Sequence, residues 1–229
     1  MKISVIMPTY NSVDLINQSI ESILNQTYEN FELLICDDSS TDDTKDIITN
    51  YKKLDSRIKI FENSKNIGLT KSLNKLITQS KGELIARQDS DDISFSNRFE
   101  KQINYIVNQN YDVVVSRALR KHNNKIIPKR SYYFPPKFIT KIKNPFIHGT
   151  LLIKKNVIQE IGGYDENFYY SQDYKLFSDL LKAGYKFKHL REPLYLLNMK
   201  DNISVNFNKQ QDYYAKCVRN NEIPSKPIK

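Results

Sequence analysis

Short β-branched runs alternate with longer stretches of helical apolar spacing through the first hundred positions. The run "ISVIM" (3–7) predicts a strand. It is followed by residues 12–26, where Val13, Ile16, Ile20, Ile23 and Leu24 recur at the spacing of one helix face. "ELLIC" (32–36) leads through "DDSSTDDT" to a predicted helix over 43–54, with Ser40 or Thr41 as N-cap and acids in its first turn. "IKIF" (58–61) precedes a helix over 66–80, and "ELIAR" (83–87) runs into "RQDSDD" (87–92). Strands alternating with helices predict an α/β fold with a mostly parallel central sheet flanked by helices.

Past residue 100 the pattern loosens. A helix over 96–109 and a strand over 112–117 are followed by "KHNNKIIPKRSYYFPPKF" (121–138), which reads as a long loop. A strand over 146–155, a short helix from 156 ending at Gly162–Gly163, and a helix over 173–184 closed by Gly184 are expected next. Residues 201–229, rich in Asn, Lys and Gln, read as a basic, loosely attached tail.

This order gives the polar segments a shared place. "PTYN" (8–11), "DDSS" (37–40) and "RQDSDD" (87–92) each follow the carboxyl end of a predicted strand. In open α/β sheets ligands bind in the crevice outside those ends, so the three loops should converge. Three aspartates within four positions repel one another. Such a cluster is either a solvated turn or a site for a hard divalent cation, whose preferred ligands are carboxylate oxygens.

Composition narrows the partners only a little. The net charge of +9 permits an anionic surface, a phosphorylated ligand or nucleic acid, but no nucleic-acid-binding motif accompanies it. Basic residues are densest near 120–143 and in the tail, which suits these parts to peripheral contact with an anionic membrane surface. No apolar run reaches the roughly 20 residues of a membrane span and no signal peptide is recognisable, so a cytosolic protein is expected. Cys36 and Cys217 lie far apart without metal-ligand or redox spacing.

Five segments, in order, resemble the nucleotide-sugar-dependent glycosyltransferases of family 2. They are "SVIMPTYN", "ICDDSSTDDT", "NIGLTKSLN", "ARQDSDD" and "GGYDENFYYSQDYKLF", followed by "REPLYLL". The resemblance covers about residues 1–200 and implies a single catalytic domain of the GT-A type. Its Rossmann-like half, 1–117, would bind the nucleotide sugar, and 118–200 the acceptor. Pro8, Tyr10, Asp37 and Asp38 would hold the nucleotide base, usually uracil, and Asn11 would also bind the nucleotide sugar. A carboxylate can accept the imide N–H while a tyrosine covers the ring. Asn66, Gly68 and Lys71 carry the middle motif, with Lys71 near phosphate.

"RQDSDD" then corresponds to the family's DXD motif, with Asp89 toward the ribose and Asp91 as ligand to Mn²⁺ or Mg²⁺. Arg87 would pair with a carboxylate or phosphate, and Asp92 would cap the following helix. The base that activates the acceptor hydroxyl is assigned to Asp173 of "SQDYKL", where Gln172 replaces the usual glutamate. Tyr164 and Asp165 would line the same pocket. His148 would either face the acceptor or be structural. The basic pair that often follows "PLYLL", commonly Arg-x-His, reads Asn198 and Lys200, which suggests Lys200 on the diphosphate rather than a His on the metal.

The resemblance implies an inverting, metal-dependent hexosyl- or N-acetylhexosaminyltransferase. It would use a UDP-sugar and a glycan or glycolipid acceptor at the cytosolic face of a membrane. Two other readings compete. A sugar-1-phosphate nucleotidyltransferase would open with a Gly-rich, Arg-containing loop that "PTYNSVD" lacks. A non-catalytic module with the same fold would bind a nucleotide sugar without turning it over.

Overall fold

The computed structural model describes residues 1–198 and 207–225. One nine-stranded sheet runs through the molecule. Its first half is built as the sequence predicts. Strands β1 (Ile3–Thr9), β2 (Phe31–Asp37), β3 (Ile58–Glu62) and β4 (Leu84–Arg87) alternate with helices α1 (Ile16–Leu24), α2 (Thr44–Leu54) and α3 (Leu69–Gln79). All four strands are parallel, with Ile3 opposite both Phe31 and Leu84. Every residue of β1 and β2 is buried, as a strand covered on both faces requires.

Strand order fixes where a ligand can enter. From β1 the chain moves outward to β2 and β3, then returns to lay β4 on the other side of β1. The order 3-2-1-4 puts the switch point between β1 and β4, so the loops leaving these two strands border one crevice.

The second half extends the same sheet. After β5 (Ile93–Ser94) and α4 (Arg98–Gln109) come β6 (Val113–Arg120), β7 (Ile126–Ile127) and the single helical turn α5 (Pro136–Ile139). Then follow β8 (Leu152–Lys154), α6 (Lys155–Glu160), α7 (Gln172–Lys182) and β9 (Phe187–Leu197). The overall order is β3-β2-β1-β4-β8-β6-β9-β5, with β7 on β6. β8 is antiparallel to β4 and β6, whereas β6 and β9 are parallel.

Alternation along the strands makes two cores. Val5, Met7, Leu33 and Ile35 pack with α1, α2 and α4 on one face. Ile6, Leu34, Cys36 and Ile85 pack with α3, α6 and α7 on the other.

Four expectations are corrected. The strand expected over 146–155 is only Leu152–Lys154, because His148–Thr150 forms a 3-10 turn. Neither Ser40 nor Thr41 caps α2, whose N-cap position is Asp43. Part of the expected long loop is ordered as β7, a 3-10 turn at Ser131–Tyr133 and α5. The tail is not simply loose: α8 (Asn208–Asn220) buries Tyr214, Cys217 and Val218 against Phe168 and Tyr174.

Candidate active site

The three polar loops meet at the switch point. Ser12, just past β1, shares a hydrogen bond with Ser90 of the acidic loop at 2.9 Å. Asn11 adopts a left-handed backbone (φ 48°), accepts the Thr41 N–H at 2.8 Å and donates its own N–H to Ser40 at 3.0 Å. Pro8 is buried in β1 and Tyr10 stands exposed just past its end.

Asp37 and Asp38 do local work as well. Asp37 accepts from the Ser40 N–H and hydroxyl, two bonds that shape the second loop. The Asp38 carboxylate accepts from Asn63 Nδ2, the Ile67 N–H and the Gly68 N–H at 2.8–2.9 Å. It therefore braces the loop that carries Asn66 and Gly68, which leaves it little capacity for a ligand imide. The close approach to Gly68, whose φ is 89°, comes from the ring of Tyr169; a Cβ there would lie 2.9 Å from Tyr169 Cε2. Asn66 and Lys71 are exposed beside this loop.

The acidic loop gives each carboxylate a different environment. Buried Arg87 donates to the Asp89 carboxylate and to the Ile6 carbonyl, while its Nε has no protein partner among the described residues. The Tyr195 hydroxyl accepts the Asp89 N–H at 3.0 Å and bonds the Asp92 carboxylate. Asp92 also accepts the Asn198 N–H at 2.7 Å, so it ties the loop to the end of β9 and does not cap α4. Burial, then repulsion from Asp89 and Asp91, pushes Asp92 well above the usual carboxylate range. For Asp91, burial and the charge of Asp89 raise the pKa to about 6.

That environment fits a hard divalent cation. Asp91 is disfavoured as a lone anion, and Arg87, the nearest guanidinium in sequence, is engaged by Asp89. No group of three or more potential ligand side chains occurs among the described residues. A magnesium-type ion needs only one or two carboxylates where phosphates and water supply the remaining oxygens. Lys200 lies outside the described residues.

Asp173 approaches from the second half of the chain. It occupies the first turn of α7, where helical N–H groups and the dipole favour a carboxylate. Burial nonetheless raises its pKa; the N–H groups of Tyr174 and of Asp173 itself, together with Asn144, act in the opposite direction. Asn144 Nδ2 donates to Asp173 Oδ2 at 2.7 Å.

His148 and the Tyr164 hydroxyl share a hydrogen bond at 2.7 Å. Burial, with Arg87 nearby, keeps His148 neutral well below its ordinary pKa. Burial raises the pKa of the Tyr164 hydroxyl; Arg87 acts in the opposite direction, and the charges of Asp173 and Asp89 add to the rise. Asp165 accepts from Asn167, pairs with Lys175 at 3.7 Å and lines a cavity together with Tyr164. Gln172 is buried at the first position of α7.

Several contributors escape the sequence reading. Asn74 of α3 clamps Tyr164 from both sides, donating to its carbonyl at 2.8 Å and accepting its N–H at 2.9 Å. Tyr195 lies within "REPLYLL" and Asn144 ahead of His148 in "NPFIHGT", but nothing in their spacing marks a role. The ring edge of Tyr195 also requires Gly149, since a Cβ there would fall well inside contact distance of Tyr195 Cζ.

Comparison with known proteins gives one family. The family model for Glycosyl transferase family 2 matches residues 4–162. WfgD of Escherichia coli, named a UDP-Glc:α-D-GlcNAc-diphosphoundecaprenol β-1,3-glucosyltransferase, is 33% identical over 183 residues, covering 79% of this chain and 70% of WfgD. The crystal structure of S. aureus TarS 1–349 with UDP-GlcNAc has a TM-score of 0.78 at 21% identity, covering 90% of this chain and 61% of TarS 1–349. The mannosyltransferase PcManGT from Pyrobaculum calidifontis, with GDP-Man and Mn²⁺, has a TM-score of 0.75 at 18% identity, covering 97% of this chain and 66% of PcManGT. At those identities the two structures establish the shared GT-A fold. The chain spans less than two thirds of either solved chain.

Proposed function

The chain belongs to glycosyltransferase family 2, and from that premise we propose that it transfers a sugar from a UDP-sugar to an acceptor hydroxyl, with inversion at the anomeric carbon. One observation carries the reading: the crowded carboxylates Asp89 and Asp91 stand in the loop after β4 and a separate carboxylate of raised pKa, Asp173, stands in the first turn of α7, with the charges of Asp89 and Asp173 both acting on the Tyr164 hydroxyl. Leaving-group stabilisation and proton abstraction need such a division.

In this mechanism Tyr10 covers the base, and Asp37 helps to shape the loop beneath it. Asp89, held by Arg87, faces the ribose. Asp91 would hold Mn²⁺ or Mg²⁺, which when bound stabilises the charge that grows on the departing diphosphate. Asp173 accepts the proton of the acceptor hydroxyl while that oxygen bonds the anomeric carbon and the bond to the nucleoside diphosphate breaks. A single base opposite the leaving group suits one in-line displacement, hence inversion. The neutral His148 and Tyr164 offer hydrogen bonds to a sugar hydroxyl without competing for the proton.

The UDP-glucose in the name of WfgD and the UDP-GlcNAc bound by TarS support a UDP-sugar donor. PcManGT holds GDP-mannose on the same fold, so the base is the feature most in need of direct test. The diphosphoundecaprenol acceptor in the name of WfgD supports a lipid-linked glycan as acceptor here, at the cytosolic face of a membrane, in synthesis of a surface polysaccharide.

The test is nucleoside diphosphate release from a panel of UDP- and GDP-sugars, with and without lipid-linked acceptors. Asp173→Asn is expected to abolish transfer and leave UDP affinity nearly unchanged; Asp91→Ala should remove the Mn²⁺-dependent part of UDP affinity. Full transfer by Asp173→Asn overturns the assignment of the base. Tight UDP-sugar binding with no turnover of any sugar would instead identify a non-catalytic binding module.

A further inference from the structure

Between Asp112 and Glu160 the chain contains no acidic residue. Within that stretch, four large apolar side chains face solvent inside ten positions: Tyr133 (66% exposed), Phe134 (57%), Phe138 (65%) and Ile142 (67%). Burial of such groups is what ordinarily drives folding, so a cluster left in water marks a surface that meets something else. Basic residues are interleaved with them. Lys129 and Arg130 precede the aromatic pair, and Lys137, Lys141 and Lys143 alternate with Phe138 and Ile142, all five exposed.

The segment is held in place from behind. Helical hydrogen bonds continue past α5, with the Thr140 N–H donating to Pro136 and the Lys143 N–H to Ile139. Thr140 is buried, and its carbonyl accepts the Tyr174 hydroxyl of α7 at 2.5 Å. The Ile142 carbonyl accepts from Arg219 of α8 at 3.4 Å. With the inner side anchored, Phe138 and Ile142 project outward one helical turn apart, flanked by Lys137 and Lys141 one turn apart.

We propose that residues 129–143 form a membrane-docking surface that seats on an anionic phospholipid bilayer. Aromatic and aliphatic side chains enter the interfacial layer, while the lysines reach the phosphates on their long stems. Charge chooses this occupant: each basic residue near an anionic leaflet strengthens binding, and no acid in the segment opposes it.

The position matters for the reaction. The residue that follows the docking segment, Asn144, donates to Asp173. A bilayer touching Phe138 and Ile142 would therefore lie beside the strand of chain that holds the base, where a lipid-borne acceptor hydroxyl must arrive. This part rests on the proposed transfer to a lipid-linked acceptor, whereas the docking surface itself does not.

Sedimentation with vesicles of phosphatidylcholine, with and without phosphatidylglycerol, tests the surface directly. The wild-type chain should bind the phosphatidylglycerol vesicles and release them as salt rises. Lys137→Ser/Lys141→Ser/Lys143→Ser should lower the partition constant roughly a hundredfold, and Phe134→Ser/Phe138→Ser at least about tenfold. These side chains are exposed, so unaltered thermal unfolding and UDP affinity verify the fold of both variants. Equal binding to both vesicle types, absence of binding at low salt, or variants that bind like wild type would overturn the proposal; absence of binding is also the result if the patch instead meets a protein. UDP release toward a soluble acceptor is followed in parallel. If that fails while vesicle binding holds, the catalytic reading is wrong and the docking surface stands; the reverse result condemns the docking surface alone.

Discussion

Replacing Asn144 by alanine is expected to move the acid limb of the kcat profile up by about one pH unit. Asn144 donates from Nδ2 to Asp173 Oδ2 at 2.7 Å, and its Oδ1 accepts the Phe146 N–H at 3.0 Å. The second bond pins the amide so that the first points at the carboxylate. A hydrogen bond to an ionised group contributes about 1.5–3 kcal/mol, of which water regains part after truncation. A residual loss of about 1.4 kcal/mol corresponds to one pH unit.

The sign follows from which form the bond favours. Burial raises the Asp173 pKa, and Asn144 opposes that by stabilising the carboxylate, so its removal raises the pKa further. A base works only when ionised; activity is therefore lost at a higher pH as the solution is acidified. Well above the limb the carboxylate is ionised in both proteins, so kcat there should stay near wild type with donor KM unchanged. Asn144→Asp, which sets a like charge beside Asp173, should shift the limb further. A uniform fall in kcat with no displacement of the limb would show that Asn144 only packs, and would refute the reasoning.

Two further predictions concern the frame around the site. Burial of Glu32 raises its pKa, but hydrogen bonds from Lys59, Ser4 and the Lys81 N–H, with the charge of Lys2, overcome this and bring it from 4.5 to about 2. Stability from this group is complete above pH 4.5 and is lost as pH falls toward 2, by about 2 kcal/mol once solvent screening of the half-exposed lysines is allowed for. Urea unfolding of Glu32→Gln should lack that pH dependence; an equal slope in both proteins would exclude the assignment. Ser171, left-handed at φ 53° ahead of α7, donates to the Gln211 side chain at 2.9 Å and its carbonyl at 3.1 Å. Gln211→Ala, which removes one bond of about 1 kcal/mol, should lower kcat about fivefold through misplacement of Asp173. A change confined to donor KM would argue against that link.

The first four strands and three helices were legible because burial on both sheet faces demands uninterrupted β-branched runs, and helix faces demand their own spacing. Convergence of "PTYN", "DDSS" and "RQDSDD" followed from strand order alone. The second half was harder. β9 is broken by Arg191, Glu192 and Pro193, and its pairing with β6 shifts register near Arg117, so neither strand advertises the other. α8 has its buried stripe, Tyr214, Cys217 and Val218, at the right spacing, but the stripe is narrow among Asn, Lys and Gln. Partner choice was the least legible: Asp38 reads as a ligand for a base, and only the fold reveals that three donors from one loop already reach it.

The acidic loop shows how a fold tolerates charges that repel. Asp89 is answered by Arg87, and Asp92 by burial, the Tyr195 hydroxyl and the Asn198 N–H. Arg98 is fully buried, yet among the described residues it bonds only neutral oxygens: the Arg87 and Leu151 carbonyls, Gln88, Ser94 and Gln102. Burial lowers its pKa to about 10, which still leaves it protonated at neutral pH. A cation walled off from solvent thus offsets part of the cluster's charge without occupying a carboxylate oxygen. Asp91, raised to about 6 by burial and by the charge of Asp89, is opposed only in part by its own N–H and the charge of Arg87. Among the described residues the fold thus answers Asp89 and Asp92, and on the proposed function it is Asp91 that would face a bound cation.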